Sequence, residues 1–384
     1  MTFFFITYYH DPRLTRKGGG LIRLFDLADK LVKSGHQVSL FLPKLGAPKT
    51  QTLAKVVEVS FVDIPLLRPL SFHLISSILL LVNMTKSVNF VYVRQMNSVL
   101  PLFLAKLHHI PTIFEIPNDP YLAYQSYSLI KRSIIRLTDR LSMLMADLII
   151  VLSEWSRQRL MLFDNIPLSR ISVLPSGTDT ELFRPLLKED CCARLGLDPS
   201  FSYVGFVGSF LAHQGVETLI DSAPMALAKC AHLRFLLVGD GPMMREWQSK
   251  ISEKGLQKAF LFCGQIPYQE VPEHIGAMDI CVAPHRKDTN QASPVKIFDY
   301  MACGRPIVAS DIEVVREIIG DSRCALLVPP ESPDHLSKAI TSLIGDAILL
   351  NAMSMRARQH VIENFDRKKI HGDLMLALNN IATR

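Results

Sequence analysis

The feature that most constrains this sequence is a regular alternation of short apolar runs with segments of helical periodicity, carried once in each half of the chain. A short run that is apolar at every position is typical of a parallel strand buried on both faces. The predicted strands are residues 3–8, 38–42, 56–62, 90–93, 112–116, 148–152 and 171–174 in the first half, and 203–207, 235–238, 260–263, 280–283, 307–309 and 326–328 in the second. This alternation predicts doubly wound parallel sheets.

The length of the chain predicts two such α/β domains. It has 384 residues, and a single hydrophobic core rarely grows past roughly 250–300 residues. A stretch rich in Gly, Pro and charge follows the last strand of the first half, at 177–190. We therefore expect an N-terminal Rossmann-like domain over 1–180, a C-terminal one over 181–360 and a final segment over 361–384. Ligands of open α/β sheets bind beyond the carboxyl ends of the strands, so we expect a site in a cleft between the two domains.

Composition narrows the class of protein. Hydrophobic residues make up 48% of the chain, which excludes disorder. The net charge of +6 suits an anionic substrate or membrane surface, and no basic stretch is interleaved with aromatics as nucleic-acid binding would require. Seven cysteines without a CxxC pair favour a reducing compartment over a disulfide framework or a zinc site. No apolar run reaches the roughly 20 residues of a membrane span, so we expect a cytoplasmic protein.

The strongest motif lies at residues 293–304, between two predicted strands of the second half. Ser293 suits a helix N-cap, Pro294 the first helical position and Gly304 the C-terminal cap. The free N–H groups of such a helix start bind anions, and Lys296 would add a positive charge. Asp299, on the second turn, could accept hydrogen bonds from sugar or ribose hydroxyls. The alternative is an ordinary capped helix on which Lys296 and Asp299 are solvated.

This segment resembles the retaining GT-B glycosyltransferases of the glycosyltransferase-4 type. Their hallmark places two acidic residues eight positions apart, followed by Tyr-Met-Ala or Ala-Met-Ala, a Gly and a Pro. Asp299 stands at the second acidic position, and residues 300–310 continue the pattern. Shorter matches follow in the family's order at residues 18–19, 35–38, 174–179, 207–210, 215–216, 238–242, 262–264 and 278–280. The resemblance thus covers nearly the whole chain, and its order and spacing are specific.

The resemblance implies a GT-B fold, a final helix near 364–381 that crosses back to the first domain, and a set of site residues. The catalytic candidates are Gln291, Glu115 and Arg94. The donor-binding candidates are Gly19, Gly20, Ser209, Gln214, Gly241, Ile266, Ser293, Pro294, Val295, Lys296 and Asp299.

The chain departs from the family pattern in three ways. Gln291 stands at the first acidic position, and Ser209 and Gln214 stand where the family usually has the Arg and Lys that neutralise the donor diphosphate. Many relatives also carry a His near the acceptor, where this chain has the segment 115–119. Neutralisation would then depend on Lys296, with help from Arg286, Lys287 or His213.

The implied reaction moves a sugar from a nucleotide diphosphate donor, such as a UDP- or GDP-sugar, to a hydroxyl of a glycan, a lipid-linked acceptor or a small molecule. No cofactor is expected beyond this co-substrate. No metal site is expected either, because the sequence has neither a DxD pair nor a His/Cys cluster with ligand spacing. Two alternatives stay open. The departures at Ser209, Gln214 and Gln291 fit a catalytically silent binding partner, and the same fold also serves sugar-nucleotide epimerases.

One predicted helix, near 129–145, is basic and amphipathic. Lys131, Arg132, Arg136 and Arg140 alternate with Ile134, Ile135, Leu137, Leu141 and Leu144. Such a helix can lie on anionic lipid, or it can be a surface helix with its apolar face in the core. We prefer the second interpretation, while a peripheral contact with the inner membrane face stays open.

Overall fold

A computed structural model describes residues 1–8, 19–44, 52–64, 67–83, 88–95, 99–118, 121, 127–287, 289 and 293–382. The chain divides into two compact units. Unit 1 comprises Met1–Pro175, Asn290–Ser293 and His371–Arg384, and unit 2 comprises Ser176–Thr289 and Pro294–Ile370. Unit 2 thus begins five residues before the expected start of the C-terminal domain at residue 181. It ends ten residues after the expected end at residue 360.

Unit 1 is built on a seven-stranded parallel sheet with the strand order β3-β2-β1-β4-β5-β6-β7. Its strands are β1 (Thr2–Ile6), β2 (Gln37–Pro43), β3 (Lys55–Val59), β4 (Phe90–Arg94), β5 (Thr112–Ile116), β6 (Leu148–Val151) and β7 (Ile171–Val173). Its connecting helices are α1 (Gly19–Lys33), α2 (Leu67–Asn83), α3 (Leu100–Leu107), α4 (Leu129–Met145) and α5 (Glu154–Asp164). The strand order reverses between β1 and β4.

Unit 2 is built on a six-stranded parallel sheet with the order β10-β9-β8-β11-β12-β13. Its strands are β8 (Ser202–Val207), β9 (Leu233–Val238), β10 (Phe260–Gly264), β11 (Ile280–Ala283), β12 (Ile307–Ser310) and β13 (Ala325–Val328). Its helices are α6 (Lys188–Leu195), α7 (Val216–Lys229), α8 (Met244–Glu253), α9 (Val271–Gly276), α10 (Val295–Ala302), α11 (Glu313–Ile319), α12 (Pro333–Ile344) and α13 (Ala347–Phe365). The strand order reverses between β8 and β11, and α14 (Arg367–Ala382) closes the chain.

Every strand predicted from the sequence is confirmed within a few residues. The central strands are apolar and buried along their length, as β4 and β6 illustrate, so the pattern that predicts them also holds them in place. The largest error is at β3, an edge strand that ends at Val59 rather than at Val62, whose side chain is 46% exposed. In the described part of the chain no single helix is long and apolar enough to cross a membrane, and only α12 and α13, bent by 100°, pass that test as a pair.

Helix α10 is fixed to the unit 2 sheet by a buried tyrosine. All of its residues from Lys296 to Ala302 are buried. The Tyr300 hydroxyl accepts a hydrogen bond from the backbone N–H of Val207 at 2.7 Å and lies 3.5 Å from the carbonyl oxygen of Val282. Because these two residues lie at the carboxyl ends of β8 and β11, the helix is held where the strand order reverses.

The loops after β8 and β11 pack backbone to backbone at Gly215. This residue precedes α7 with φ +67°, and a Cβ atom there would lie 1.9 Å from the carbonyl oxygen of Pro284. The amide of Arg286 donates to the carbonyl of His213 at 3.1 Å across the same contact. Only glycine permits this approach.

We predict that Gly215→Ala destabilises unit 2 far more than Gly255→Ala. Both glycines have φ +67°, but no atom lies within 4 Å of a Cβ at Gly255. The control therefore carries only the cost of an alanine in the left-handed region, about 1–2 kcal/mol, while Gly215→Ala must also move the loop after β11. Urea denaturation of the two variants measures the difference, and equal loss of stability would contradict the packing described here.

Candidate functional site

The start of α10 forms the centre of the candidate site. Pro294 occupies the N-cap position, and its carbonyl accepts the first bond of the helix, from Ile297 N–H at 3.1 Å. The prediction that Ser293 caps the helix and Pro294 is its first residue is therefore wrong by one position, and no side-chain cap is made. The sequence predicts Gly304 as the C-terminal cap, but the C-cap residue is Cys303, and Gly304 follows it with φ +63°. The first N–H groups of any helix lack intrahelical partners, so this end can bind an anion.

Lys296 lies in the first turn of α10, with its side chain directed into the protein. The residue is 9% exposed, and its Nζ atom donates a hydrogen bond to Oε1 of Gln214 and lies 3.9 Å from the ring centre of Phe206. A Cβ atom on Gly208 would lie 3.0 Å from Nζ. Burial lowers the pKa of Lys296 well below its usual range, because desolvation disfavours the charged amine. The alternative of a solvated Lys296 is wrong.

Gln214 and His213 complete this polar group. Gln214 is 2% exposed, and its Nε2 atom lies 2.9 Å from Nε2 of His213. The structure thus brings together two donor-site candidates, Gln214 and Lys296, that are 82 positions apart. Gln214 follows strand β8 and Lys296 follows strand β11, and the strand order reverses between these two strands. This reversal is the ligand-binding position of doubly wound sheets.

Asp299 is also buried, so the solvated alternative is wrong for this residue too. It is 7% exposed, and its Oδ1 atom accepts a hydrogen bond from Thr178 at 2.6 Å. The backbone of Thr178 bonds in turn to the carbonyl of Phe365 and the amide of Arg367, each at 3.0 Å. Asp299 therefore ties α10 to the segments by which the chain enters and leaves unit 2, and one carboxylate oxygen is already engaged.

The remaining donor-site candidates occupy varied positions. Ser209 is exposed after β8, and Ile266 is half-buried after β10. Gly241 follows β9 with φ +157°, and a Cβ there would lie 2.6 Å from the carbonyl oxygen of Phe210, so Gly241 serves loop packing. Val295 begins α10, Gly19 and Gly20 begin α1, and Gln291 lies outside the described residues.

A second polar group lies at the carboxyl edge of the unit 1 sheet. Arg94 and Glu115 are paired in the register of β4 and β5, and Arg94 Nε lies 3.8 Å from Oε2 of Glu115. Arg23 of α1 donates to the other oxygen of Glu115 and to the carbonyl of Leu174 at 3.0 Å. Glu115 is fully buried, so it is not an ordinary charged residue on the protein surface. Removing one partner of such a buried group is costly, because it leaves a charge unpaired.

The sequence interpretation missed Arg23. Its only signal is a basic residue among the apolar residues Leu21, Leu24 and Phe25 of α1. The contact with Glu115 spans 92 positions, and no local pattern predicts it.

Comparison with known proteins identifies the family of the chain. The family model described as "Glycosyl transferases group 1" matches residues 202–346, and that described as "Glycosyltransferase Family 4" matches residues 17–182. Alpha-D-kanosaminyltransferase of Streptomyces kanamyceticus is 25% identical over 267 residues, 67% of each chain. Other curated relatives are matched over 43 to 59% of their own length.

Solved structures share the fold over nearly the whole chain. Sucrose-phosphate synthase from Thermosynechococcus elongatus superposes with a TM-score of 0.81 at 20% identity, covering 99% of this chain and 98% of the other. HepE of Anabaena in complex with UDP gives 0.78 at 19% identity, covering 99% and 100%. The chain belongs to the group 1 glycosyltransferases of the family 4 type, and its two Rossmann-like domains form the GT-B fold.

We predict that Asp299 makes the stability of the protein depend on pH. Burial raises the pKa of Asp299 to about 7 against the opposing effects of Thr178 and Arg367. A raised folded-state pKa gives stability that is full below the unfolded value near 3.8 and is lost as pH rises through about 7. At about 1.4 kcal/mol per pKa unit, the loss is on the order of 4 kcal/mol. Asp299→Asn cannot ionise and should lack this loss.

Urea unfolding from about pH 4 to about pH 8 measures the effect. The stability of Asp299→Asn relative to the native chain should rise with pH. Thr178→Val removes a hydrogen bond that lowers the pKa of Asp299, so it should move the native chain's transition to higher pH. Parallel pH profiles for the native chain and Asp299→Asn would contradict this account.

Proposed function

We propose that this chain transfers a sugar from a nucleotide diphosphate donor to an acceptor hydroxyl with retention of anomeric configuration. The observation that carries the proposal is the position of the start of α10, at the carboxyl edge of the sheet where the strand order reverses between β8 and β11. The buried amine of Lys296 lies in the first turn of this helix. Helix N–H groups and an adjacent cation are what a diphosphate requires. The family assignment supports the same placement.

Lys296 would act on the leaving group. When the bond between the anomeric carbon and the diphosphate breaks, negative charge grows on the departing phosphate oxygen. Preorganised donors stabilise such charge most strongly away from water, and Lys296 is buried. The approach of the diphosphate would also raise the pKa of Lys296 and favour the ammonium, because an opposite charge favours the charged form.

Asp299 would contact the donor ribose through its second oxygen, since Thr178 already bonds Oδ1. In unit 1, Glu115 is held between two guanidinium groups. We assign it to positioning Arg23 and Arg94, and we propose that Arg94 contacts the acceptor. We propose that Gln291, a catalytic candidate from the family resemblance, hydrogen-bonds a hydroxyl of the donor sugar.

The proposals for the donor base and the acceptor are supported by the names of related proteins. HepE of Anabaena is solved with UDP-glucose, and a relative from Mycolicibacterium smegmatis is named as a GDP-mannose-dependent mannosyltransferase of a phosphatidylinositol mannoside. We therefore propose a UDP- or GDP-sugar as donor and a glycan, glycolipid or small molecule as acceptor. We further propose transfer without a metal. In the described residues no group of three or more His, Cys, Asp or Glu side chains could hold one.

The test is donor turnover followed by NMR, with UDP- and GDP-sugars in the presence of EDTA. Slow donor hydrolysis or transfer with retained configuration is the expected result. Donor binding without turnover would favour the silent partner, to which the exposed Ser209 at the family's Arg position gives some weight. Conversion of the donor sugar to its epimer would favour the epimerase.

The variant Lys296→Met should weaken nucleoside diphosphate binding about 10- to 100-fold, because a charge-assisted contact is worth roughly 1.5–3 kcal/mol. Methionine keeps the side-chain volume beside Phe206 and removes only the amine. Lys338→Met removes an exposed cation from α12 and serves as the control. Calorimetry with UDP and GDP gives both affinities. A donor site that tolerates Lys296→Met as well as Lys338→Met would refute the placement.

A further inference from the structure

Three helices of unit 1 form one layer on a single face of its sheet. Helices α2, α3 and α4 connect successive strands from β3 to β6, and the sheet order places β4, β5 and β6 side by side. Parallel connections of this kind are right-handed, so the three helices cover the same face. Helix α2 packs against α3, and α3 packs against α4.

The outer side of this layer, here called the α2–α4 face, is apolar. Along α4, the exposed apolar residues from Ile130 to Leu144 recur at spacings of four and three, so they form one stripe along the helix. Ile135 and Met143 are buried on the other side. The preferred sequence interpretation, in which the apolar side of α4 lies in the core, is therefore wrong for most of its apolar residues. The large apolar side chains of the face that are at least 37% exposed are Leu67, Leu70, Leu74, Ile78, Leu81, Val82, Phe103, Leu107, Leu129, Ile130, Ile134, Leu137, Leu141 and Leu144.

Helix α2 is apolar on both sides. Phe72 and Leu80 are fully buried against the sheet, while Leu70 and Leu74 on the opposite side are 65% and 54% exposed. A helix that is apolar all round is typically enclosed by protein or by lipid. Contiguous exposed apolar patches on this scale mark interaction sites, whereas isolated exposed leucines need no explanation.

The charge of the α2–α4 face identifies its partner. The three helices carry six basic residues and one acidic residue, Asp139. Asp139 is 3% exposed and accepts a hydrogen bond from Gln95 at 2.6 Å, so it does not contribute to the surface. The basic residues are Arg68, Lys106, Lys131, Arg132, Arg136 and Arg140. Arg68 and Lys106 form ion pairs with Asp63 and Asp147, so the net positive charge is concentrated on α4.

We propose that the α2–α4 face binds the surface of an anionic phospholipid bilayer. The exposed apolar stripes would enter the boundary between headgroups and acyl chains, and the cations of α4 would contact lipid phosphates. A second copy of the chain fits less well, because a symmetric contact would bring the basic residues of two α4 helices together. This inference goes beyond the proposed function and does not depend on the donor site.

The test is co-sedimentation of the full chain with vesicles of phosphatidylcholine alone or mixed with phosphatidylglycerol. The native chain should bind the mixed vesicles and should bind them more weakly at high salt. Ile134→Ser with Leu137→Ser, both at least 58% exposed, should lower the partition coefficient by about tenfold or more. Arg136→Gln with Arg140→Gln should lower it by a similar factor on the mixed vesicles only.

The control replaces Ile348 and Met355 of α13, which are 85% and 70% exposed, with serine. It should bind like the native chain, and all variants should keep the native melting temperature because the changed side chains are exposed. Failure of the native chain to bind anionic vesicles, or equal binding by the α4 variants and the control, overturns the proposal. A concentration-dependent dimer in ultracentrifugation that the Ile134 and Leu137 changes abolish would assign the face to a second copy and overturn it as well.

Discussion

The unit 2 site depends on how α10 is held against its sheet. The Tyr300 hydroxyl lies between the ends of β8 and β11, where the strand order reverses. A helix fixed there must direct its N-terminus along the carboxyl edge of the sheet. The glycines of the neighbouring loops follow from the same constraint, since Gly208 leaves room for the Lys296 amine and Gly215 lets two loops touch. The packing of α10 and the proposed anion site are therefore products of one arrangement.

The burial of Lys296 gives the candidate site a specific electrostatic state. An amine inside a protein loses hydration, and its pKa falls. The amide oxygen of Gln214 and the ring of Phe206 stabilise it only in part, because neither carries a formal charge. A diphosphate would supply the missing negative charge. The family's usual cations are replaced at Ser209 and Gln214, which leaves Lys296 as the principal cation of this account.

The sequence predicts the fold well because each strand and helix leaves a recognisable pattern in its own short segment of the sequence. Each central strand is apolar at successive positions and is buried on both faces, so its length is visible in the sequence. The start of α10 was misplaced by one residue, because Ser293 and Pro294 each suit a helix start and only tertiary packing decides between them. The pairs Lys296 with Gln214 and Arg23 with Glu115 join residues 82 and 92 positions apart, which periodicity does not reveal.

For helix α4, the sequence predicts the helix but not its orientation against the sheet. It has apolar residues on two sides, and the buried side also carries Asp139 and Ser142. The sequence therefore indicates an amphipathic helix but not which stripe faces the sheet. Asp139 is accommodated inside because Gln95 donates a hydrogen bond to it across 44 positions, and the local sequence does not indicate that contact.

Proton exchange on nucleotide binding tests directly whether a bound diphosphate raises the pKa of Lys296. Calorimetric titration with UDP or GDP, in buffers of different ionisation enthalpy from about pH 6 to about pH 9, measures the protons taken up. The native chain should take up protons, because a bound diphosphate would raise the pKa of Lys296, and Lys296→Met should lack this uptake. Nucleotide binding with the same proton exchange in both proteins would contradict it.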